Sequence, residues 1–285
     1  MTKLMKIKSL KNYGIPSYIL NIWERHYSPY LLPAQEKAVR NYGILDYNQG
    51  STRLLHRDAP RNDKKGVRND IEENKNLLVV APTSSGKTFI GEMAAITQLI
   101  HQKKVLYLVP LRCLAEEKYR HFKNLYGNCG LEIVVSTRNH KVDDYRIIQG
   151  NYQIAVMVYE KFYSFLLQHP RFLLDVSLVV IDEMQLIHHP KWGPLLEDII
   201  DHLRRKDGTL RIIALSAWIE NQEALRKWFS APALISPQRP VELRKGMVRE
   251  GIFKYITPPD NHTYQREIFF NQEAVQDNCF GDYLL

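Results

Sequence analysis

The stretch LLVVAPTSSGKTFIGEMA, residues 77–94, joins an apolar run to a turn of small residues and then to a helical pattern opened by Gly86-Lys87-Thr88. A strand this apolar must be covered on both faces, and a helix that follows it directly must fold back over the sheet. The rest of the chain supplies the neighbours such a strand needs. Short runs rich in branched apolar residues recur at 77–81, 105–109, 131–135, 154–158, 178–181 and 211–215. Between them lie helical patterns: Phe89, Met93, Ile96 and Ile100 are spaced three or four apart, and residues 113–125 follow the same logic. Strands alternating with helices predict an α/β fold with a doubly wound, mostly parallel sheet and helices on both faces. On such a sheet ligands bind at the carboxyl ends of the strands.

The turn itself has phosphate chemistry. In the pattern Ala81-x-x-x-x-Gly86-Lys87-Thr88, the backbone N–H groups of Thr83, Ser84, Ser85 and Gly86 and of the helix start can face one anion, helped by the helix dipole. Lys87 would neutralise β- and γ-phosphates, and the Thr88 hydroxyl would ligate Mg²⁺. Ala81 stands where the general pattern has Gly, so a chance turn is the alternative. The run 178–181 ends in Asp182-Glu183. Behind a phosphate loop, the first acid of such a pair holds the magnesium shell and the second orients the attacking water. Alone, the pair reads as a solvated strand end.

In order along the chain, these residues resemble the first RecA-like domain of superfamily-two helicases of the DExH-box type. The resemblance runs over roughly residues 29 to 250 and is strongest to the group holding the superkiller RNA helicases and the archaeal and eukaryotic repair DNA helicases. Leu32-Pro33-Ala34-Gln35 is similar to the Q-type motif, which implies that Gln35 reads the adenine edge of ATP. APTSSGKT resembles motif I and Asp182-Glu183-Met184-Gln185 motif II. The stretch 109–115, with Pro110 and Arg112, resembles motif Ia, and Tyr159-Glu160-Lys161 resembles motif Ib. Ser136-Thr137 matches the start of a further loop of the group. The resemblance implies that Pro110, Arg112, Ser136, Thr137, Glu160 and Lys161 face the sugar-phosphate backbone of DNA or RNA. Gly193-Pro194-Leu195-Leu196-Glu197 is typical of the group, Ser216-Ala217-Trp218 stands for motif III, and Arg239-Pro240-Val241-Glu242-Leu243 for the crossover.

Three departures qualify the resemblance. Gln185 replaces the usual His and Trp218 the usual Thr, at positions that with Ser216 and Ala217 couple the ATP and nucleic-acid sites. An amide donates and accepts hydrogen bonds as a neutral imidazole does, whereas an indole cannot replace a small hydroxyl. Nothing in the sequence matches motifs IV, V or VI, so the expectation is slow ATP hydrolysis unless a partner chain supplies a second RecA-like domain. The competing expectation is a non-motor: a nucleotide-gated nucleic-acid-binding or scaffolding protein, truncated or completed by a partner. A small-molecule P-loop kinase leaves the ordered later motifs without a role.

The expected organisation is a helicase ATP-binding domain over 1–240, with a Q-motif segment at 1–47 and a charged insertion at about 48–76. Residues 241–285 would be a crossover and the incomplete start of a second domain or a tail, with strand candidates in VELRKG and GIFKYI before a polar end. In 51–75, twelve of twenty-five residues are charged and no apolar period survives, which suits an exposed loop. The formal charge of +8 favours a polyanionic partner. Cys113, Cys129 and Cys279 have no metal-like or redox spacing and read as reduced thiols. No apolar run approaches the ~18 residues of a membrane span, so the expectation is a cytoplasmic protein without membrane contact. The lysines of MTKLMKIKSLKN are read as solvated, His188 and His189 as lacking a third metal ligand, and Trp192, Trp218 and Trp228 as packing residues.

Overall fold

In a computed structural model, described for residues 4–46, 76–205, 210–218, 222–237, 239, 244–249, 252–257 and 260–268, the six apolar runs are strands of one sheet. They are β1 (Leu77–Val80), β2 (Lys104–Val109), β3 (Ile133–Ser136), β4 (Ile154–Val158), β5 (Val176–Ile181) and β6 (Arg211–Ser216). A seventh, β7 (Ala233–Ile235), adds to the far side of β1. The order is β3-β4-β2-β5-β6-β1-β7 and every pairing is parallel. All carboxyl ends therefore share one edge, and β1 and β5 are separated only by β6.

Both faces of each central strand are buried, and alternate residues enter different layers. Leu77, Val79, Val105, Tyr107 and Val109 join one core, while Leu78, Val80, Leu106 and Leu108 join the other. Full burial of such side chains contributes about 1.5–3 kcal/mol each, which is why the runs are continuously apolar. The first layer is closed by α1 (Ser17–His26), α2 (Pro33–Tyr42), α3 (Lys87–Ile100) and α4 (Arg112–Tyr126). The second is closed by α5 (Asp144–Ile148), α6 (Tyr159–Gln168), α7 (Gly193–Arg204) and α8 (Gln222–Phe229).

Helix α3 is more enclosed than its apolar stripe implies: only Thr88 and Ile100 among its residues escape full burial. The N-terminal segment covers its outer side, with Trp23 edge-on to Phe89 at 5.3 Å and Tyr27 against the same ring at 4.1 Å. Against the sheet, a Cβ on Gly91 would lie 2.9 Å from Leu215 and 3.1 Å from Val180, so glycine sets how closely the helix approaches. The lysine-rich start is half as expected. Lys6, Lys8 and Lys11 are exposed, but Met5, Ile7 and Leu10 between them are buried and seat a 3-10 helix on the core.

The chain divides into two units, Met1–Gln238 and Arg239–Leu285. In the second, β8 (Lys245–Arg249), β9 (Ile252–Thr257) and β10 (Asp260–Ile268) form an antiparallel sheet with β9 central. β10 occupies what reads in sequence as a polar tail. The charged insertion, apart from Asn76, and the crossover residues after Arg239 lie outside the described residues. Among the described residues no helix is long and apolar enough to cross a membrane.

Candidate nucleotide and nucleic-acid site

Beyond β1 the chain is held to β6 by one more ladder bond, from Ala81 N to Ser216 O at 3.0 Å, and then turns. Ser85 Oγ donates to Pro82 O at 2.6 Å, closing the loop on itself. Ser84 and Gly86 take positive φ, 65° and 76°. At Gly86 a Cβ would stand 2.1 Å from Gln35 Nε2 and 2.9 Å from Leu32 Cδ1, so a larger residue, already strained by the positive φ, would displace the Gln35 amide. The loop thus delivers the first turn of α3, in which Phe89 N donates back to Gly86 O at 3.1 Å, to the carboxyl edge of the sheet. Thr83 and Ser84 are exposed and Ser85 is buried. Lys87 is 8% exposed, and among the described residues no group pairs with its ammonium.

Gln35 lies directly beside this loop. Its Oε1 accepts from Leu32 N at 2.8 Å, half of a capping box on α2, and its Nε2 donates to Gly86 O at 3.1 Å. The amide therefore braces the loop, with one N–H proton uncommitted for a base.

Asp182 extends the β5 ladder by donating its N–H to Leu108 O at 2.9 Å. Its carboxylate is held on both oxygens: Oδ1 accepts from Glu183 N and Oδ2 from Tyr107 OH, each at 3.0 Å. Tyr159 OH donates to the Asp182 carbonyl. Burial pushes the Asp182 carboxyl up from its ordinary range, against the pull of Lys118 and these hydrogen bonds. Such a carboxylate gains more than an exposed one from a cation placed beside it. Burial and the neighbouring Asp182 push the Tyr107 hydroxyl well up, so it stays a donor. Glu183 sits at φ 58°, a left-handed conformation that a glutamate adopts only under constraint.

Gln185 supplies a link that spacing alone does not reveal. Its Nε2 donates to Glu183 Oε2, and its Oε1 accepts from both Ser216 Oγ and Ala217 N at 3.1 Å. One amide thus ties the acid pair to the end of β6, which is itself bonded to the root of the phosphate loop. Trp218 departs from the packing role expected of it. It lies past the last residue of β6, and the residue is 67% exposed. Trp192 and Trp228 do pack against the second layer. Among the described residues no three His, Cys, Asp or Glu side chains gather as metal ligands, and His188 and His189 are exposed.

The residues assigned to the nucleic-acid face lie at the end of β3 or in the turns and first helical turns that follow β2, β3 and β4, on the same edge and with unequal access. Pro110 is buried at the end of β2, while Arg112 is exposed and paired with Glu116 at 2.7 Å. Glu160 is exposed. Ser136 and Thr137 are fully buried. Ser136 Oγ donates to Asp144 Oδ1, and Thr137 Oγ1 accepts from His140 N at 3.1 Å. Lys161 pairs with Asp144 and lies 5.0 Å from the Phe165 ring.

Sequence reasoning missed a buried polar cluster behind the phosphate loop. Glu92 on α3, 1% exposed, accepts from Tyr27 OH at 2.5 Å and from Tyr126 OH, and bonds His121 Nε2 at 2.7 Å. Trp23 Nε1 donates to Tyr126 OH at 2.7 Å. The signal was present as a lone acid in the apolar run FIGEMAAI, but its partners are 29 to 65 residues away.

A phosphate loop and a strand-end acid pair, joined through one polar side chain at the carboxyl edge of a seven-strand parallel sheet, define a RecA-like nucleotide-binding domain. The chain belongs to the DEAD/DEAH box helicase family, whose model matches residues 62–225, more than half of its length. It is similar to proteins named ATP-dependent DNA helicase Hel308. The Thermococcus kodakarensis protein is 40% identical over 188 residues, covering 66% of this chain and 16% of the relative. For Caldivirga maquilingensis the identity is 36% over 194 residues, covering 68% and 25%. For Methanocaldococcus jannaschii it is 36% over 226 residues, covering 77% and 18%. The chain thus spans a quarter or less of the length of these relatives.

Proposed function

We propose that this chain is the ATP-binding half of a helicase motor: it binds and hydrolyses ATP with Mg²⁺ and transmits the state of that site to a bound nucleic-acid strand. The observation that carries the reading is the continuous hydrogen-bonded path from Ala81 through Ser216 and Gln185 to Glu183 and Asp182. Lys87 and the first-turn amides of α3 take the β- and γ-phosphates, and Glu183 positions the attacking water. One hydroxyl and one carboxylate, Thr88 and Asp182, suit Mg²⁺, which takes few protein oxygens and completes its shell with phosphate and water. When bound, the ion neutralises charge on the transferring phosphoryl group. Gln35, already against Gly86, reads the adenine with its remaining N–H.

The names of the relatives favour DNA as the strand. Pro110, Arg112, Ser136, Thr137, Glu160 and Lys161 lie along or beneath one edge of the sheet, which suits contact to a backbone independent of base sequence. A second RecA-like domain, such as a partner chain would supply, completes the site; an arginine finger from it is worth about 10³- to 10⁵-fold in turnover. The exposed Trp218 at a coupling position favours a second reading, a nucleotide-gated binding protein that does not turn over.

Steady-state ATPase of the full chain with and without single-stranded DNA separates the two. The motor reading expects slow turnover that rises on adding DNA and is lost in Glu183→Gln, with nucleotide binding retained. Nucleotide binding with no turnover under any condition would leave only the gated binder.

A further inference from the structure

Asp144, the first residue of α5, occupies two groups that lie along the nucleic-acid face. Its Oδ1 accepts from Ser136 Oγ and its Oδ2 from Lys161 Nζ, both at 2.5 Å. The three residues come from three elements: the end of β3, the start of α5 and the third position of α6. The Lys161 and Asp144 side chains are 18% and 19% exposed, so the pair is shielded but borders solvent. A hydroxyl and an ammonium thus converge on two oxygens of a single anion.

A phosphodiester offers the same two oxygens and the same single charge. Replacing the carboxylate by a strand phosphate conserves both charge and hydrogen-bond count. The neighbouring acid is not equally free. Asp143 Oδ2 accepts from Val135 N and its Oδ1 from Arg146, both at 3.3 Å, so Asp143 fastens the turn to β3 while Asp144 binds side chains only. Helix α5 is five residues long, and among the described residues its first, Asp144, carries no side-chain bond to the backbone of the sheet.

We propose that Ser136 and Lys161 form a phosphodiester subsite and that Asp144 is its internal occupant, filling it until a strand phosphate takes its place. The proposal rests on the reading that this chain grips a nucleic-acid backbone. Ser136 is fully buried with its hydroxyl on Asp144, so a strand phosphate takes that hydroxyl only in exchange for the carboxylate. The consequence is selectivity, because an exchange of anions gives no net gain to a ligand lacking phosphate.

The test is fluorescence anisotropy of a labelled oligo-dT across a salt series, using the full chain, Asp144→Asn, Asp144→Ser and Asp144→Asn/Lys161→Ala, each with a melting curve. The neutral replacements should bind about two- to five-fold tighter than the parent, because Lys161 no longer has an internal competitor. Their salt slope should steepen by about 0.7, the increment for one further phosphate of a single strand. Both effects should vanish in the double variant. Equal or weaker binding by the neutral variants, with the parent still binding, overturns the subsite alone and makes Asp144 a brace. If no protein binds the oligonucleotide even at low salt, the nucleic-acid reading fails and the subsite with it.

Discussion

Replacing Gln185 by alanine should uncouple ATP turnover from nucleic acid. The amide makes three hydrogen bonds, two of them to β6 at 3.1 Å and one to the Glu183 carboxylate. The two neutral bonds are each worth about 0.5–1.5 kcal/mol net and the charge-assisted one about 1.5–3. The loss is softened because Ser216 Oγ keeps a bond to Trp218 O at 3.3 Å and the half-buried Ala217 can be reached by water. What remains as coupling energy is about 1–3 kcal/mol, which converts to about a 5- to 150-fold fall in stimulation of ATPase by single-stranded DNA. The assay is the ratio of stimulated to basal rate against DNA concentration. Gln185→His should keep most of the ratio, because a neutral imidazole has one donor and one acceptor for the same two sides. Gln185→Glu should not, since it sets a second carboxylate beside Glu183. If Gln185→Ala keeps the parent ratio, the bridge carries no signal and the reasoning fails.

Tyr126→Phe should destabilise the first unit by about 2–4 kcal/mol, since it strands the buried Trp23 N–H and removes a charge-assisted bond to Glu92. Tyr27→Phe should cost less than about 1 kcal/mol, because Tyr27 borders solvent and water can replace it; equal losses in urea unfolding would contradict this ranking. Alkaline pH gives a second check on buried hydroxyls. Burial raises the folded pKa of Tyr107, Tyr126 and Tyr159, so their stabilisation is complete below the unfolded value of about 10 and is lost as pH climbs beyond it. The last fraction of tyrosinate absorbance should therefore appear only with loss of circular dichroism, and complete ionisation of the tyrosines with the fold intact would refute the burial. Trp218→Thr should leave the melting temperature nearly unchanged, within about 0.5 kcal/mol, because the indole is exposed; a large drop would restore its packing role.

The sheet was legible because strands buried on both faces must be continuously apolar, and six of seven announced themselves that way. The seventh, Ala233–Ile235, has only three residues and follows Pro232, too little for a pattern to register. β10 could not be read from DNHTYQREI, because its pairing with β9 rather than its own composition makes it a strand. Lys87, Asp182 and Glu183 were legible through the chemistry of phosphate and magnesium. Tyr107, Glu92 and Asp144 were not. Each acts through a partner 8 to 75 residues away, and single-sequence spacing carries no record of such contacts. Trp218 failed for the opposite reason: a large apolar ring is read as core by default, and here it falls two residues past the end of β6.

The central claim is that Lys87 and Asp182, which follow β1 and β5 on either side of β6 at one sheet edge, hold the phosphates and the ion of a single nucleotide. Equilibrium binding of ATP to the full chain, with and without Mg²⁺, tests it most directly when repeated on Lys87→Ala and Asp182→Ala. The account predicts that Lys87→Ala weakens binding about 10- to 100-fold, the worth of a charge-assisted contact, and that Asp182→Ala abolishes the dependence on Mg²⁺. Unchanged ATP affinity and an intact Mg²⁺ dependence in both variants would contradict it.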